Sequence, residues 1–349
     1  MKIHQGVDMS SLKKRVYALI SFIVIFNILA WAFLLGVSQF SLSLISLGSL
    51  AYFFGLRHAF DADHIAAIDN VTRKLRQDGQ KSVGVGLFFS LGHSTVVLLL
   101  SIGVVVSVRL VSSHMHFLEN IGGLIGTSIS ALFLTLIGII NLFILKDLYK
   151  IFKVHKNSKN IDKDILNQTS EELLNKRGFF GRIFKSAYKR VNKSYQMYPI
   201  GFLFGLGFDT ATEVAVLGIS SALAKDSQLP IWGILAFPLL FAAGMSLMDS
   251  LDGLVMMKIY DWAMVDAMRK IFFNMVVTGT SVFVALSIGA IEWLQVTSMQ
   301  LKIDTPFFNY LNNLQFEVLG IIVVVVMIVS WFSAFLYYKK YIMVREIIK

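Results

Sequence analysis

Residues 57–64 read Arg57-His58-Ala59-Phe60-Asp61-Ala62-Asp63-His64, and they lie inside an apolar segment long enough to cross a bilayer. Five of these eight residues are ionisable. An Asp or Arg near the middle of a membrane helix costs roughly 2.5–3.5 kcal/mol on insertion scales, so the surrounding protein must stabilise the stretch. Its two imidazoles and two carboxylates form a ligand set that suits a borderline-to-hard metal ion. The stretch therefore indicates a helix that carries a divalent cation through a membrane.

The composition is that of a membrane protein. Hydrophobic residues make up 56% of the 349 positions and charged residues 15%, whereas soluble domains carry about 25% charged residues. The net charge of +10 comes from short basic flanks between apolar segments, which is a topology signal and disfavours a nucleic-acid partner. The chain has no cysteine, so thiolate metal sites are excluded. It has no Gly-x4-Gly-Lys-Ser/Thr loop either, and we expect no ATPase subunit to be required.

The apolar segments predict an all-α polytopic protein with eight transmembrane helices, since a span needs about 20 apolar residues. The side that holds both termini carries 28 of the 32 Lys and Arg residues and the opposite side carries three, which predicts cytoplasmic termini in the cell membrane. We expect a single transport domain, 1–349, whose basic loop at 146–196 is cytoplasmic. The spans are expected at 16–37, 43–69, 82–108, 121–145, 197–224, 231–257, 270–292 and 316–338.

Two pairs of segments suggest an internal repeat. Residues 60–66 in span two align with 208–215 in span five, and 89–94 in span three align with 241–246 in span six. The two members of each pair run in opposite directions through the membrane. Spans 2–4 and 5–7 would then form a 3+3 inverted repeat, as in many secondary transporters, with two extra helices. Coincidence among apolar segments of low diversity is the alternative.

Span two supplies the first candidate ligands. His58, Asp61 and His64 fall within an arc of about 120° on a helical wheel, and Arg57 lies in the same sector. Asp63 points elsewhere unless the helix is broken near it, and a break of this kind would bring it into the site. The alternative to a metal site is a structural network of salt bridges and hydrogen bonds.

Spans three and five supply further candidates. His93 is a lone intramembrane imidazole, which is either a ligand or a hydrogen-bonding link between helices. Asp209 and Glu213 are four residues apart and therefore stack on one helix face. They repel each other unless a cation or a proton lies between them, or unless one pairs with Arg57.

Span six contributes Met245, which aligns with His93 in the repeat. It also contributes Asp249 and Asp252, which form either an exit vestibule for the ion or a salt bridge at a helix end. The candidate metal ligands are thus His58, Asp61, Asp63, His64, His93, Asp209 and Glu213. The candidates for a secondary pathway or network are Arg57, Thr210, Thr212, Met245, Asp249 and Asp252.

These motifs resemble those of the nickel/cobalt transporter family. Residues 57–65 resemble its signature in span two, 206–213 its second signature, and 91–97 and 244–253 the other two. The resemblance implies uptake of Ni²⁺, Co²⁺ or both across a prokaryotic cytoplasmic membrane by a secondary transporter that is not an enzyme and holds no cofactor. It also implies that His58, Asp63 and His64 matter for transport, and that the nickel supplies enzymes such as urease or hydrogenase.

The residues by themselves leave alternatives open. Nitrogen and oxygen ligands disfavour Cu(I), but they do not separate Ni²⁺ from Co²⁺, Zn²⁺ or Mn²⁺. Efflux of the same metals is the nearest alternative to uptake. An intramembrane metal-dependent enzyme and a subunit of an ATP-driven machine are further alternatives. The oligomeric state is open.

Overall fold

The computed structural model describes residues 9–39, 41–106, 108–157, 191–206, 211–224, 231–263, 267–337 and 340. Within these ranges the chain forms eleven α-helices and two short 3₁₀ turns, at Ser194–Gln196 and Ile231–Leu235, and no strand. The helices are α1 (Met9–Ser38), α2 (Ser43–His58), α3 (Ala62–Gln77), α4 (Val85–Val106), α5 (Val108–Asn157), α6 (Met197–Gly205), α7 (Ala211–Leu223), α8 (Ala236–Ala263), α9 (Ala267–Leu301), α10 (Pro306–Asn312) and α11 (Phe316–Tyr337).

Six candidate membrane spans occur in the described part of the chain, and they confirm the prediction of an all-α, multi-pass membrane protein. Helix α8 is the central one, because 72% of its span is buried, against 22% in α1 and in α11. The exposed apolar side chains of the two outer helices are suited to lipid tails. The spans are Leu12–Ser38, Val85–Gly103, Thr127–Lys150, Trp232–Asp261, Met275–Leu301 and Val318–Tyr337.

Predicted span 43–69 is a broken helix. Helix α2 ends at His58 and α3 begins at Ala62, so the break predicted near Asp63 is present. Asp61 occupies the break with φ −62° and ψ 141°, the extended conformation of a residue that precedes a helix. Each half has 16 residues and is about 24 Å long, so neither half crosses the ~30 Å hydrocarbon core alone.

Predicted span 197–224 is also divided. Helix α6 ends at Gly205 and α7 begins at Ala211, while residues 207–210 lie outside the described part of the structure. Spans two and five, which the sequence pairs in the repeat, thus each contain two helices among the described residues.

Glycines let these half-helices pack backbone to backbone against their neighbours. A Cβ added to Gly55 of α2 would lie 2.8 Å from the carbonyl carbon of Phe241 in α8. A Cβ added to Gly201 of α6 would lie 2.8 Å from the carbonyl carbon of Phe89 in α4. Such close approach is possible only without a side chain. The reciprocal approaches are Gly92 to Tyr198 and Gly244 to Tyr52.

The sequence predicts a loop at 70–81, between the spans 43–69 and 82–108. That prediction is wrong for residues 70–77, because α3 continues to Gln77. Arg73 and Lys74, counted as loop charges, are only 1% and 2% exposed. The guanidinium of Arg73 donates hydrogen bonds to neighbouring side chains inside the protein, which offsets its removal from water.

Helix α5 is longer than the predicted span 121–145. It begins at Val108, runs through the predicted outer loop between spans 82–108 and 121–145, and continues to Asn157. The first residues of the predicted loop 146–196 are therefore helical, while 158–190 lie outside the described residues.

Candidate metal site

Three imidazoles converge at the break in the first divided span. His58 is the last residue of α2, His64 lies in the first turn of α3, and His93 lies in α4. Each ring offers one nitrogen to a group in which all the nitrogens lie within 4.8 Å of one another. The three residues are 2%, 0% and 3% exposed, respectively. Such a group has the donor type and the spacing that a divalent transition metal requires.

Asp61 orients the ring of His58. Its Oδ2 lies 2.9 Å from Nδ1 of His58, and the hydroxyl of Thr212 lies 3.4 Å from the same nitrogen. Nε2 of His58 lies 3.0 Å from Nε2 of His93. A proton held on Nδ1 by the carboxylate leaves Nε2 with a lone pair for a ligand, which is the usual arrangement behind a metal-binding histidine.

Helix α7 adds a carboxylate from the other side of the cluster. Oε1 of Glu213 lies 2.8 Å from Nε2 of His93 and 3.9 Å from Nε2 of His58. Glu213 is only 1% exposed. Spans two, three and five thus each contribute predicted ligands, His58, His64, His93 and Glu213, to one buried group.

Helix α8 adds a second carboxylate. Oδ2 of Asp249 lies 3.5 Å from Nδ1 of His64, and both side chains are fully buried. Within the described residues, neither ring nitrogen of His64 and neither carboxylate oxygen of Asp249 forms a hydrogen bond. Buried polar groups without hydrogen-bond partners carry a desolvation penalty. A cation bound between His64 and Asp249 would offset this penalty.

Asp63 forms a hydrogen bond with the backbone at the start of the helix that carries His64. Its Oδ1 accepts a hydrogen bond of 2.9 Å from the backbone N–H of His64, so it stabilises the first turn of α3. Arg57 is half-buried in the last turn of α2.

The other predicted residues lie around or beyond this group. Met245 is fully buried in the apolar cluster that α1, α2 and α8 form. Asp252 lies one turn after Asp249, and its Oδ2 has no hydrogen-bond partner in the described part of the chain. Asp209 and Thr210 fall within 207–210, outside the described residues.

A second buried polar network was missed by the sequence analysis. It follows His64 along α3, and an available signal was the acid–base spacing of four residues between Asp69 and Arg73. Its members are Asp69, Asn70, Arg73, Asn141, Tyr260, Thr278 and Ser281.

The chain is similar to known metal transporters over most of its length. The family model NicO, described as high-affinity nickel-transport protein, matches residues 44–337. The high-affinity nickel-transport protein NixA of Helicobacter pylori is 46% identical over 299 residues, which cover 85% of this chain and 89% of that protein. The cobalt transport protein NhlF of Rhodococcus rhodochrous is 36% identical over 335 residues, 93% of this chain and 92% of that protein.

A third relative, the nickel transporter NixA of Staphylococcus aureus, is 41% identical over 320 residues, 92% of this chain and 93% of that protein. No solved structure matches the chain. The family is one of metal transporters and not of enzymes. The family match and these identities confirm the resemblance that the motifs carry, and the chain belongs to the NicO family of high-affinity nickel-transport proteins.

Proposed function

We propose that this protein imports Ni²⁺, and Co²⁺ as a second substrate, across the cytoplasmic membrane by alternating access through the buried histidine group. The observation that carries the proposal is the convergence of His58, His64 and His93 within 4.8 Å. Imidazole donors beside several carboxylates suit these borderline divalent ions. The names of the relatives, which include both nickel and cobalt transporters, support the same substrates.

The proposed roles follow the contacts. The three imidazoles are the nitrogen ligands. Glu213, 2.8 Å from His93, and Asp249, 3.5 Å from His64, supply negative charge. Asp61 orients His58 and is a candidate oxygen ligand once the ion has entered. Asp209 and Asp63 remain candidate ligands, and Asp252 extends the path beyond Asp249.

The proposed architecture has eight spans, in which spans 2–4 and 5–7 form a 3+3 inverted repeat and α1 and α11 are added. The reciprocal glycine approaches support it, since Gly55 and Gly201 contact residues 241 and 89, which are themselves a pair in the repeat. The paired division of two spans also supports it. Transporters of this kind bind their ion near the midplane, where broken helices leave polar backbone groups for the substrate.

The proposed orientation has both termini and the 146–196 loop in the cytoplasm, as the distribution of Lys and Arg favours. An inside-negative membrane potential then contributes about 2.3 kcal/mol per charge per 100 mV to the entry of a cation. For a divalent ion this term favours uptake without an ATPase partner, and 1–349 acts as one transport domain.

Radioactive nickel uptake by cells that express single variants tests the site. We expect His58→Ala, His64→Ala and His93→Ala each to reduce high-affinity uptake to the level of cells without the transporter, at an unchanged amount of membrane-inserted protein. His155→Ala is the matched control, because the sequence puts His155 in the basic loop, and it should transport normally. Normal uptake by any of the three site variants would contradict the assignment.

Competition by unlabelled Co²⁺, with and without an uncoupler, tests substrate and direction in the same cells. Import predicts nickel accumulation that cobalt competes away and that falls when the membrane potential is abolished. Lower accumulation in expressing cells than in empty cells would instead identify an exporter.

A further inference from the structure

A buried network joins α3 to the second half of the molecule beyond the histidine group. Asp69 of α3 is 1% exposed. It accepts a hydrogen bond from the hydroxyl of Tyr260 in α8 and another, of 2.7 Å, from Ser281 in α9. Both oxygens of this carboxylate are therefore held by helices of the other half.

Arg73 continues the network one turn further along α3. Its guanidinium donates 3.0 Å hydrogen bonds to the hydroxyl of Thr278 in α9 and to the side-chain oxygen of Asn70. That oxygen also accepts a 2.7 Å hydrogen bond from Asn141 in α5. At the end of α3, Arg76 forms an ion pair with Asp261 of α8.

Among the residues that the structure describes, this network lies on the α3 side of the metal group. In the proposed repeat the counterpart of α3 is α7, and after Glu213 that helix contains no charged residue as far as Leu223. Charged side chains of α3 thus form hydrogen bonds and an ion pair with helices of the other half. Residues 214–223 of α7 offer only apolar and hydroxyl side chains for such contacts.

We propose that Asp69 and Arg73 are the latch of an inner gate: their bonds to α8 and α9 hold the cytoplasmic side closed and break when the ion is released. The direction of this gate rests on the proposed orientation. Asp249, which lies beside His64 of the histidine group, is fully buried, as a closed inner side requires. Because each latch bond between helices is a single contact with a hydroxyl, it can break and form again.

The absence of cysteine allows a direct test by labelling. Ser250→Cys is the inner reporter, since residue 250 is 2% exposed where α8 meets Gly86 of α4. Ser220→Cys is the outer reporter, fully buried in α7, which packs on α2 and α4. Each reporter is combined with a latch variant and treated with a membrane-impermeant maleimide from either face of sealed vesicles.

Thr278→Val removes the partner of Arg73, and Ser281→Ala removes a partner of Asp69. We expect either change to accelerate inner-reporter labelling from the cytoplasmic face roughly tenfold, as loss of one bond to a charged group implies, and to slow outer-reporter labelling. Thr280→Val is the matched control, because its hydroxyl bonds only the backbone of Val276 in its own helix among the described contacts. It should label like the parent.

Equal labelling of the Thr278→Val and Thr280→Val proteins would overturn the latch. Faster labelling of both reporters would also overturn it, since that pattern indicates a loosened fold rather than a shifted gate. Nickel uptake by the parent protein in the same vesicles is measured separately. A parent that transports nickel while its latch variants label normally leaves the proposed function intact and refutes the gate alone.

Discussion

Replacing Gly55 by alanine tests the packing of the first broken span against α8. The added Cβ would lie 2.8 Å from the carbonyl carbon of Phe241 and 2.9 Å from its Cα, whereas ordinary contacts begin at 3.4 Å. The carbonyl oxygen of Phe241 would lie closer still. All three obstacles are backbone atoms, so no change of rotamer relieves them and the two helices must move apart. Overpacking of this kind costs roughly 1–3 kcal/mol. His58 follows Gly55 by one turn, so the displacement also reaches the histidine group.

The assay is the apparent Tm of the purified protein in detergent, together with nickel uptake at matched protein levels. We expect Gly55→Ala to lower the Tm by roughly 1–4 °C, as about 1–3 kcal/mol implies for a chain of this length, and to reduce uptake. Gly218→Ala is the control, since nothing lies within 4 Å of its added Cβ, and it should keep the parent Tm. Equal Tm values for the two variants would refute the backbone contact. Gly201→Ala should behave like Gly55→Ala if the two halves are related as proposed.

Two further changes test the charge at the site and the topology. Glu213→Gln removes a negative charge 2.8 Å from His93, so we expect the KM for nickel to rise at least about tenfold, equivalent to about 1.4 kcal/mol. Glu292→Gln alters another buried carboxylate, which accepts a hydrogen bond from Ser130, and an equal rise in KM there would contradict a specific role for Glu213. Ser170→Cys, in the basic loop, should react with an impermeant maleimide in inverted vesicles, and labelling in intact cells would contradict a cytoplasmic loop.

The histidine group was predictable because ionisable residues are conspicuous in apolar segments. Each imidazole or carboxylate in a span must find a partner in the protein, so His58, His64, His93 and Glu213 were candidates because they lie in apolar segments. The break before α3 was predictable as well, since a continuous helix turned Asp63 away from the other candidates. Direct contact between two of the imidazoles was not predictable, because it depends on how α2 and α4 both pack on α8.

Hydropathy misplaced the residues that follow His64. Hydropathy predicts that Arg73 and Lys74 face water. It cannot distinguish a solvated charge from a buried charge that is hydrogen-bonded inside the protein. Two members of the Asp69 network, Asn70 and Arg73, therefore fell in a segment that the sequence analysis left between spans. The length of α5 was hidden for a related reason, since hydropathy detects only the part of a helix that lipid requires to be apolar.

The break between α2 and α3 has an electrostatic consequence. The C-terminal carbonyls of α2 carry a partial negative charge, equivalent to about half an electron, where the chain leaves the helix beside His58. The N-terminus of α3 brings a comparable positive charge to the same place, and Asp63 in its first turn offsets that charge. Glu213 does the same in the first turn of α7. Asp63 therefore contributes to the attraction of an arriving cation even without touching the ion.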